Sequence, residues 1–442
     1  FIHLQFEFGQ DILTEEQNDQ MKIYSIFFYI IFSLSIEFGS IQAQENGCLS
    51  SLDMLVEEAL QNNPEIKSAE WLWRAYLQRP TQVSALPDPM FSYSRFGANV
   101  ETRVGPQENV LTLSQKIPFP GKLSLKGKMA NQDALAAEQK YQATVRDVIY
   151  KLKLAYYDLY WVDQSLLILQ EYQQLLRDFQ RVAETKYATG TGIQANVLKA
   201  QVEISSILER QLNFDKIREG AVARLNALLA QDQNTSVGFV GPIDTTLFEV
   251  SEAELIVKAI EEREELNSAK AMIQKSEYAI SLSKRNYWPD LNLSFTYITI
   301  PSGRTVAPDN GKDAWSINAG INLPIWQGRR NAAVDEAQAM LVSNRDSYEN
   351  LKNEVQAEIK DLLARLNTAE RTVNLYAQQL IPDAGRTLQS VLASYQTGTL
   401  DFLNLLDSER MLLNFRLAYA KELANYRQQM VGLERAVGGE LP

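Results

Sequence analysis

Histidine and cysteine carry much of the acid–base, nucleophilic and metal chemistry of proteins, and this chain of 442 residues has one of each. His3 precedes the first methionine, Met21, so we expect the mature chain to contain no histidine. This excludes Ser-His-Asp triads, Cys-His pairs and histidine-containing zinc sites. Cys48 alone cannot form an internal disulfide or a CxxC motif. A catalytic or metal site built only from carboxylates remains possible, but the sequence shows no constellation that supports one. No catalytic residue, cofactor or metal site is therefore predicted, and the protein is not expected to be an enzyme.

The charge balance excludes another class of function. The chain has 43 basic and 55 acidic side chains, a net charge of −12. Contact with phosphate groups needs a basic surface. Nucleic acid is therefore not an expected partner.

The first 43 residues have the pattern of a targeting segment. Met21 and Lys22 lead into an apolar run from Ile23 to Ile36, and Ile41-Gln42-Ala43 fits a signal-peptidase site. The run is short for a membrane-spanning helix, which needs about 20 residues. We interpret residues 21–43 as a secretory signal peptide and residues 1–20 as translated upstream sequence. The residues before Cys48 match a lipoprotein signal poorly, which leaves its lipidation open.

The remaining chain repeats itself. Three segments recur in the same order at a nearly constant offset: Pro87-Asp88 as Pro289-Asp290, LTLSQKIPFPGK as WSINAGINLPIWQGR, and Tyr187-Ala-Thr-Gly-Thr191 as Tyr395-Gln-Thr-Gly-Thr399. Such a series predicts a tandem duplication. We place the two repeats at residues 44–240 and 241–442.

Each repeat is predicted to begin with a helix of modest length, followed by two strands. The first helices are Leu52–Tyr76 and Glu252–Arg285. Apolar and polar residues then alternate at about residues 88–117 and 290–324, which is typical of strands between two different environments. The segments Gly97–Asn109 and Ile300–Ala314 are rich in glycine, proline and polar residues, and we expect them to be loops.

A very long helical hairpin completes each repeat, at about residues 121–230 and 328–437. Neither glycine nor proline occurs from Lys128 to Thr189 or from Arg329 to Ile381. Apolar residues from Val355 to Leu380 are spaced alternately by four and three, which is a coiled-coil seam. A helix of roughly 60 residues is about 90 Å long, much longer than a globular domain is wide.

Four strands with an apolar face cannot lie in lipid alone, because their two edges carry unpaired backbone groups. Outer-membrane barrels have at least eight strands, so a barrel needs more than one chain. The alternative is a periplasmic or surface coiled-coil scaffold without a pore. That alternative leaves the exposed apolar face of the strands without an explanation.

Duplicated units, two strands per unit, very long helices and paired Tyr-x-x-Gly-Thr corners resemble the TolC-like outer membrane factor family. The strongest local matches are YATGTGIQANVLKAQ and YQTGTLDFLNLLDSE. The resemblance covers the chain from about Ser51 to Gly438. PFPGK at Pro118–Lys122 and LPDP at Leu86–Pro89 are most similar to the heavy-metal-efflux branch.

The resemblance implies a mainly helical fold with a small membrane β part and a homotrimer. Its 12-stranded β-barrel would cross the outer membrane of a Gram-negative bacterium and continue into a 12-helix α-barrel across the periplasm. The chain would be the exit duct of a tripartite pump for small molecules or metal ions. Its partners would be outer-membrane lipid, a periplasmic adaptor (membrane fusion) protein and an inner-membrane transporter of the resistance-nodulation-division type.

The family pattern also implies roles for individual residues. Alignment on Tyr395 and Gly398 places Asn404 and Asp407 at the two positions of the periplasmic gate ring, with Asp401 as a further member; Asn404 departs from the usual acid. The candidates for adaptor contact are the exposed corners: Gly190, Thr191, Gly192, Gly398, Thr399 and Leu400. The strand-to-helix transitions are marked by Pro118, Pro120, Gly121, Pro324 and Gly328, because proline ends strand pairing and favours a helix start.

Overall fold

The computed structural model describes residues 51–241, 243, 251–303, 306 and 308–441. The predicted upstream segment and signal peptide lie outside the described residues. The chain separates into two units, one of residues 1–50 with 236–242 and one of residues 51–235 with 243–442. Residues 236–241 of the first unit are described and form an irregular segment. The described helices and extended strands all belong to the second unit.

Both repeats have the same order of elements. The first contains α1 (Leu52–Asn62), α2 (Pro64–Leu77), α3 (Arg79–Ser84), β1 (Met90–Thr102), β2 (Gly105–Ile117), α4 (Lys122–Ala188) and α5 (Gln194–Leu229). The second contains α6 (Glu252–Glu262), α7 (Glu264–Arg285), β3 (Leu291–Thr299), β4 (Ala314–Ile321), α8 (Gln327–Leu375), a π-helical turn (Tyr376–Leu380), α9 (Ile381–Gln396) and α10 (Phe402–Val437).

The single helix predicted at the start of each repeat is broken in two. Asn63 is extended between α1 and α2, caps α2 by accepting from the backbone N–H of Glu65, and precedes Pro64. Proline disfavours a helical residue before it, which explains this break. Arg263 is extended at the same place in the second repeat, with no proline after it.

Both breaks are bonded to the end of the returning helix of their own repeat. The Asn63 side-chain amide donates to the Leu228 carbonyl over 2.9 Å. The Arg263 guanidinium donates to the Ala436 carbonyl over 3.1 Å. Different side chains therefore make the same contact in the two repeats, and neither break was predicted from the sequence.

The four strands form one antiparallel sheet in the order β1-β2-β3-β4, with β1 and β4 at its edges. Register places Phe91 opposite Leu113, Leu113 opposite Phe295, and Phe295 opposite Ile317 on one face. The other face is polar and pairs Thr112 with Thr296 through their hydroxyls. On the apolar face, Phe91, Trp315 and Ile317 are 65%, 66% and 70% exposed. The sheet therefore has one apolar face that the chain itself leaves open.

Part of the predicted loop at Gly97–Asn109 was wrong, because β1 and β2 extend through most of it as a hairpin. The pairing has an irregularity between Arg95 and Val100 and continues to Thr102 opposite Gly105. Gly105 has a φ of +127° and lies close to Pro301, where a Cβ would meet the backbone oxygen at 2.2 Å. The turn between β1 and β2 therefore requires glycine at position 105, because both the backbone conformation and the surroundings exclude a side chain.

The longest helix, α4, has 67 residues, which corresponds to about 100 Å. Leu152, Leu159 and Leu176 are fully buried along it, whereas Val182 is 43% exposed beside the buried Ala183. Asp163 is also buried and forms an ion pair with Arg218 of α5, with Nε and Oδ1 2.7 Å apart. The buried side of this helix therefore includes an ion pair as well as apolar residues.

The long helix of the second repeat is interrupted before its corner. The backbone N–H of Ile381 bonds the Tyr376 carbonyl, five residues back, and this marks a π-helical turn. Pro382 follows directly, and it has no N–H with which to continue the α-helical pattern. The predicted uninterrupted helix thus becomes α8, one π turn and α9.

Among the described helices, none combines the length and the apolar character that a membrane-spanning helix requires.

Candidate functional site

The ends of the two long hairpins form the candidate site, and each turns through a glycine corner. The first corner is Tyr187–Gly192 and the second is Tyr395–Leu400. The predicted contact residues Gly190, Thr191, Gly398, Thr399 and Leu400 are exposed, and Gly192 is partly buried. The structure places all six at these two corners.

The two corners share one backbone conformation. Gly190 and Gly398 have φ values of +72° and +80°. The Thr191 N–H donates to the Lys186 carbonyl, and the Thr399 N–H donates to the Ser394 carbonyl, each over 2.9 Å. These bonds close a Schellman motif, in which a left-handed residue satisfies the last carbonyls of a helix.

Lys186 links the first corner to the second. Its Nζ donates to the Tyr395 carbonyl over 2.6 Å and lies 4.1 Å from the centre of the Tyr395 ring. The Tyr395 ring in turn packs on Phe402, with centroids 5.6 Å apart. The two hairpin ends are therefore bonded to each other within one chain.

A buried apolar cluster lies beneath the corners and is formed by four helices. Its members on α4 include Leu176 and Phe179, with Ile207 on α5 and Tyr395 on α9. From α10 it receives Phe402, Leu405, Leu406 and Leu413. The cluster fixes the helix ends and so determines which faces of α10 remain exposed.

The gate candidates lie on the exposed face at the start of α10. Asp401 is the N-cap residue, and its Oδ1 accepts from the backbone N–H of Asn404 over 3.0 Å and from the Asn404 side chain over 2.7 Å. Asp407 lies about one helical turn after Asn404, and its side chain is 61% exposed. One carboxylate therefore caps the helix while the next remains exposed.

Arg410 connects this face to the first hairpin. Its Nε donates to Glu203 Oε1 of α5 over 3.0 Å, its Nη2 donates to Oε2, and its Nη1 lies 3.5 Å from Asp407 Oδ1. The hydrogen bond that Arg410 donates to Glu203 and the negative charge of that carboxylate raise the pKa of Arg410 above its usual range. Arg410 thus carries its charge permanently beside Asp407.

Charged residues near the hairpin ends that were absent from the sequence-based predictions include Lys186, Glu203, Glu409 and Arg410. Glu203 lies between the buried residues Ala200 and Ile207, and Glu409 lies between Leu406 and Leu413. Both glutamates thus occupy positions with the three-and-four spacing of an apolar seam. A glutamate at a seam position could have been recognised in the sequence as a buried charge.

The predicted strand-to-helix residues lie at the two junctions between sheet and helices. Gly121 is the N-cap residue of α4, with a φ of +90°, and a Cβ there would lie 2.4 Å from the Arg285 guanidinium. Arg285 donates to the Pro120 carbonyl over 2.7 Å. Pro118 follows β2 directly, whereas Pro324 and Gly328 flank the start of α8. These residues join the sheet to the long helices.

No group of three or more metal-ligating side chains occurs within the described part of the chain.

A model of the outer membrane efflux protein family matches residues 55–231 and 255–439. The chain is 23% identical over 407 residues to the cation efflux system protein CusC of Escherichia coli O157:H7, covering 87% of this chain and 85% of that one. It is 20% identical over 404 residues to the outer membrane protein TolC of Vibrio cholerae serotype O1, covering 88% and 90%.

A solved structure of CusC has a TM-score of 0.76 at 18% identity, covering 90% of this chain and 96% of that chain. At this identity the likeness shows a shared fold. The prediction of a mainly helical chain with a small sheet is thereby confirmed.

Proposed function

Because this chain belongs to the outer membrane efflux protein family, it is a passive efflux channel of the outer membrane, and we propose that three copies form one duct. Channels of this family serve efflux pumps, and the resemblance stated from the sequence is confirmed. The alternative of a scaffold without a pore does not agree with this membership. The protein is not an enzyme.

The four-stranded sheet supports a barrel shared between chains. β1 and β4 are edge strands, and one face of the sheet is apolar and exposed. Unpaired backbone groups at a sheet edge are too costly in lipid, so the edges must pair with something. Pairing of β4 with β1 of the next copy satisfies both edges, and three copies give the 12 strands that the family resemblance implies.

The duplication supports a matching contact between the helices of neighbouring copies. Counterparts in the two hairpins lie 208 residues apart, as Gly190 and Gly398 do. Glu203 and Arg410 pair within the chain. Their counterparts, Met411 and Val202, are 47% and 68% exposed. If the contact between hairpins repeats around the duct, Val202 of one copy faces Met411 of the next.

We assign the periplasmic gate to the exposed face of α10. Asp407 has an exposed carboxylate, and threefold symmetry would bring three copies of it around one axis. A ring of carboxylates attracts cations and sets selectivity. Asn404 would form a neutral ring beside it, and Asp401 would hold the start of α10 in place.

We assign adaptor contact to the two corners, Gly190–Gly192 and Gly398–Leu400. They are the exposed ends of the hairpins, and their Schellman turns present a rigid backbone.

The pump partners would be a periplasmic adaptor and an inner-membrane transporter of the resistance-nodulation-division type. The cargo class would be small molecules or metal ions, and the likeness to a cation efflux protein favours metal ions for the first assays.

Cysteine cross-linking tests the assembly. In a Cys48→Ser background, Val202→Cys with Met411→Cys is expected to give covalent dimers and trimers in oxidised membranes. The matched control is Gln201→Cys with Met411→Cys. It places the first cysteine at the exposed residue next to Val202, on a different side of α5, and should cross-link much less. Absence of a trimer band, or equal yields from both pairs, would contradict the arrangement.

Planar-bilayer currents test the gate. We expect a multivalent cation added on the periplasmic side to block wild-type currents, and Asp407→Asn to weaken that block at least tenfold. Asp361→Asn removes an exposed acid elsewhere on a long helix and should leave the block unchanged. Equal block in wild type and Asp407→Asn would remove Asp407 from the gate.

A further inference from the structure

A cavity of about 190 Å³ lies between α4 and α10. It adjoins the buried apolar cluster described above, the corner cluster, to which its lining residues Tyr172 and Leu413 belong. Half of its lining is aliphatic, namely Ile168, Leu175, Leu412 and Leu413, and Tyr172 and Glu409 also line it. It is partly open to the surface, where Glu171 of α4 and Arg416 of α10 form an ion pair over 2.8 Å. The site thus combines apolar walls with two polar side chains inside and a charged pair at the mouth.

The two inner polar groups are buried and lack partners. Glu409 is 1% exposed and Tyr172 is 5% exposed. Within the described part of the chain, Glu409 Oε1 and the Tyr172 hydroxyl have no hydrogen-bond partner. A buried polar group without a partner costs about 1–3 kcal/mol, and more for a charged one. Both residues line the cavity, and native proteins seldom leave two such side chains in one place without a partner.

The neighbouring cations are already paired with other acids. Arg410 of α10 pairs with Glu203 of α5, and Arg416 pairs with Glu171 at the mouth. Arg210 of α5 also acts on Tyr172, where it and Arg410 oppose the two glutamates Glu203 and Glu409. Burial raises the pKa of Glu409 to about 7. Among the described residues, no cation forms an ion pair with this carboxyl.

We propose that this cavity binds a small organic ammonium ion, with its positive nitrogen at Glu409 and Tyr172 and its alkyl groups against the leucines. A quaternary or protonated amine is attracted to a carboxylate and to an aromatic ring, and its carbon atoms suit aliphatic walls. A metal ion fits less well, because Ca²⁺ takes six to eight oxygen ligands and Mg²⁺ six. The cavity residues are not among the gate and corner candidates, and the proposal does not depend on the proposed duct.

Choline and its uncharged analogue 3,3-dimethylbutan-1-ol are suitable probes, because choline keeps its charge at every pH. We expect isothermal titration of the purified full-length channel in detergent to show saturable choline binding at pH 8. Affinity should fall about tenfold at pH 6, since a group with a pKa near 7 goes from about nine tenths to one tenth ionised. The alcohol should bind at least tenfold more weakly than choline.

Glu409→Gln keeps the shape of the side chain and should lower choline affinity at pH 8 at least tenfold and remove its pH dependence. Tyr172→Phe should lower it severalfold, whereas Glu184→Gln, which removes an exposed acid from α4 outside the cavity, should leave it unchanged. Absence of choline binding at pH 8, equal binding of the alcohol, or full affinity in Glu409→Gln would each overturn the proposal. Bilayer currents remain a separate measurement, so failure of this site and failure of the channel are distinguishable.

Discussion

The two corners have nearly the same sequence and backbone, yet they differ in what surrounds them. Tyr187 of the first corner is 50% exposed, whereas Tyr395 of the second is 5% exposed and packs on Phe402. Lys186 reaches from the first corner to the second, and its counterpart Ser394 donates back into its own helix, to the Ser390 carbonyl. The second corner is therefore built into the core, and the first lies outside it.

The starts of the returning helices differ in the same sense. Asp401 caps α10 with its side chain, whereas Ile193, in the same place before α5, provides no side-chain cap and is 63% exposed. The repeated motif therefore determines the turn, and neighbouring residues determine how firmly it is held. We expect the second corner to define the structure of the gate and the first to be free for contact with other chains.

The largest expected difference between the corners comes from Phe402 and its counterpart Gln194. Phe402 is fully buried in the corner cluster, and removal of a buried phenylalanine ring costs about 3–5 kcal/mol. Phe402→Ala should therefore lower the thermal midpoint of the purified channel strongly. Gln194→Ala, at an exposed position, should change it little. The midpoints are compared by circular dichroism at one protein concentration, and equal shifts would contradict the assignment of the core to the second corner.

A second difference lies in the ion pair between the hairpins. Arg410→Met leaves the buried carboxylate of Glu203 without its partner, which costs about 3–5 kcal/mol for a fully buried pair and about 2 kcal/mol here because Arg410 is half exposed. Adding Glu203→Met to Arg410→Met should restore most of the thermal midpoint, since two apolar residues then face each other as Val202 and Met411 are proposed to do. A double variant no more stable than the single one would argue against this equivalence.

Most of the fold could be predicted from the sequence because its patterns are long. Period-two alternation predicted β3 and β4. Of the seam predicted from Val355 to Leu380, Val355, Ile359, Leu366, Ala369 and Val373 are buried, whereas Leu362, Tyr376 and Leu380 are partly buried. Regular spacing makes such elements predictable, because each turn or residue pair carries the same signal. Single residues caused the errors. Pro382 introduces the π turn, and the helix break at Arg263 depends on a bond to Ala436, which is distant in sequence.

The corner residues of the candidate site were also visible in the sequence, because glycine in the left-handed region marks the end of a helix. The contacts between the corners were not. Lys186 looks like an ordinary solvent-exposed lysine until the fold brings it to Tyr395. Likewise, Glu203 and Arg410 are far apart in the chain, and their pairing depends on how the two hairpins lie against each other.

The corner glycines provide a test in which no difference is expected. Gly190 and Gly398 both have a positive φ, and an added Cβ would meet nothing within 4 Å at either position. Gly190→Ala and Gly398→Ala should each cost about 1–2 kcal/mol, which is the penalty of the left-handed conformation for a residue with a Cβ. Hydrogen exchange of the Thr191 and Thr399 amides should increase to a similar extent. A clearly larger increase at one corner would show that the two turns are not equivalent.

The smallest expected effect concerns the helix caps, and here the first corner can be made to resemble the second. Asp401→Ala removes a side-chain cap and should cost about 1 kcal/mol, whereas Ile193→Asp should stabilise α5 by a similar or smaller amount. The gain is expected because Asn196 stands three residues after Ile193, as Asn404 does after Asp401. The Asn196 N–H now donates to the Ile193 carbonyl over 3.1 Å and would donate to the new carboxylate instead, so the gain is the smaller of the two changes. Exchange of the first-turn amides of α5 and α10 measures both changes. If Ile193→Asp increased exchange at α5, the loss of an apolar contact at Ile193 would outweigh the new cap, and the first corner would have a packing role that its exposure does not reveal.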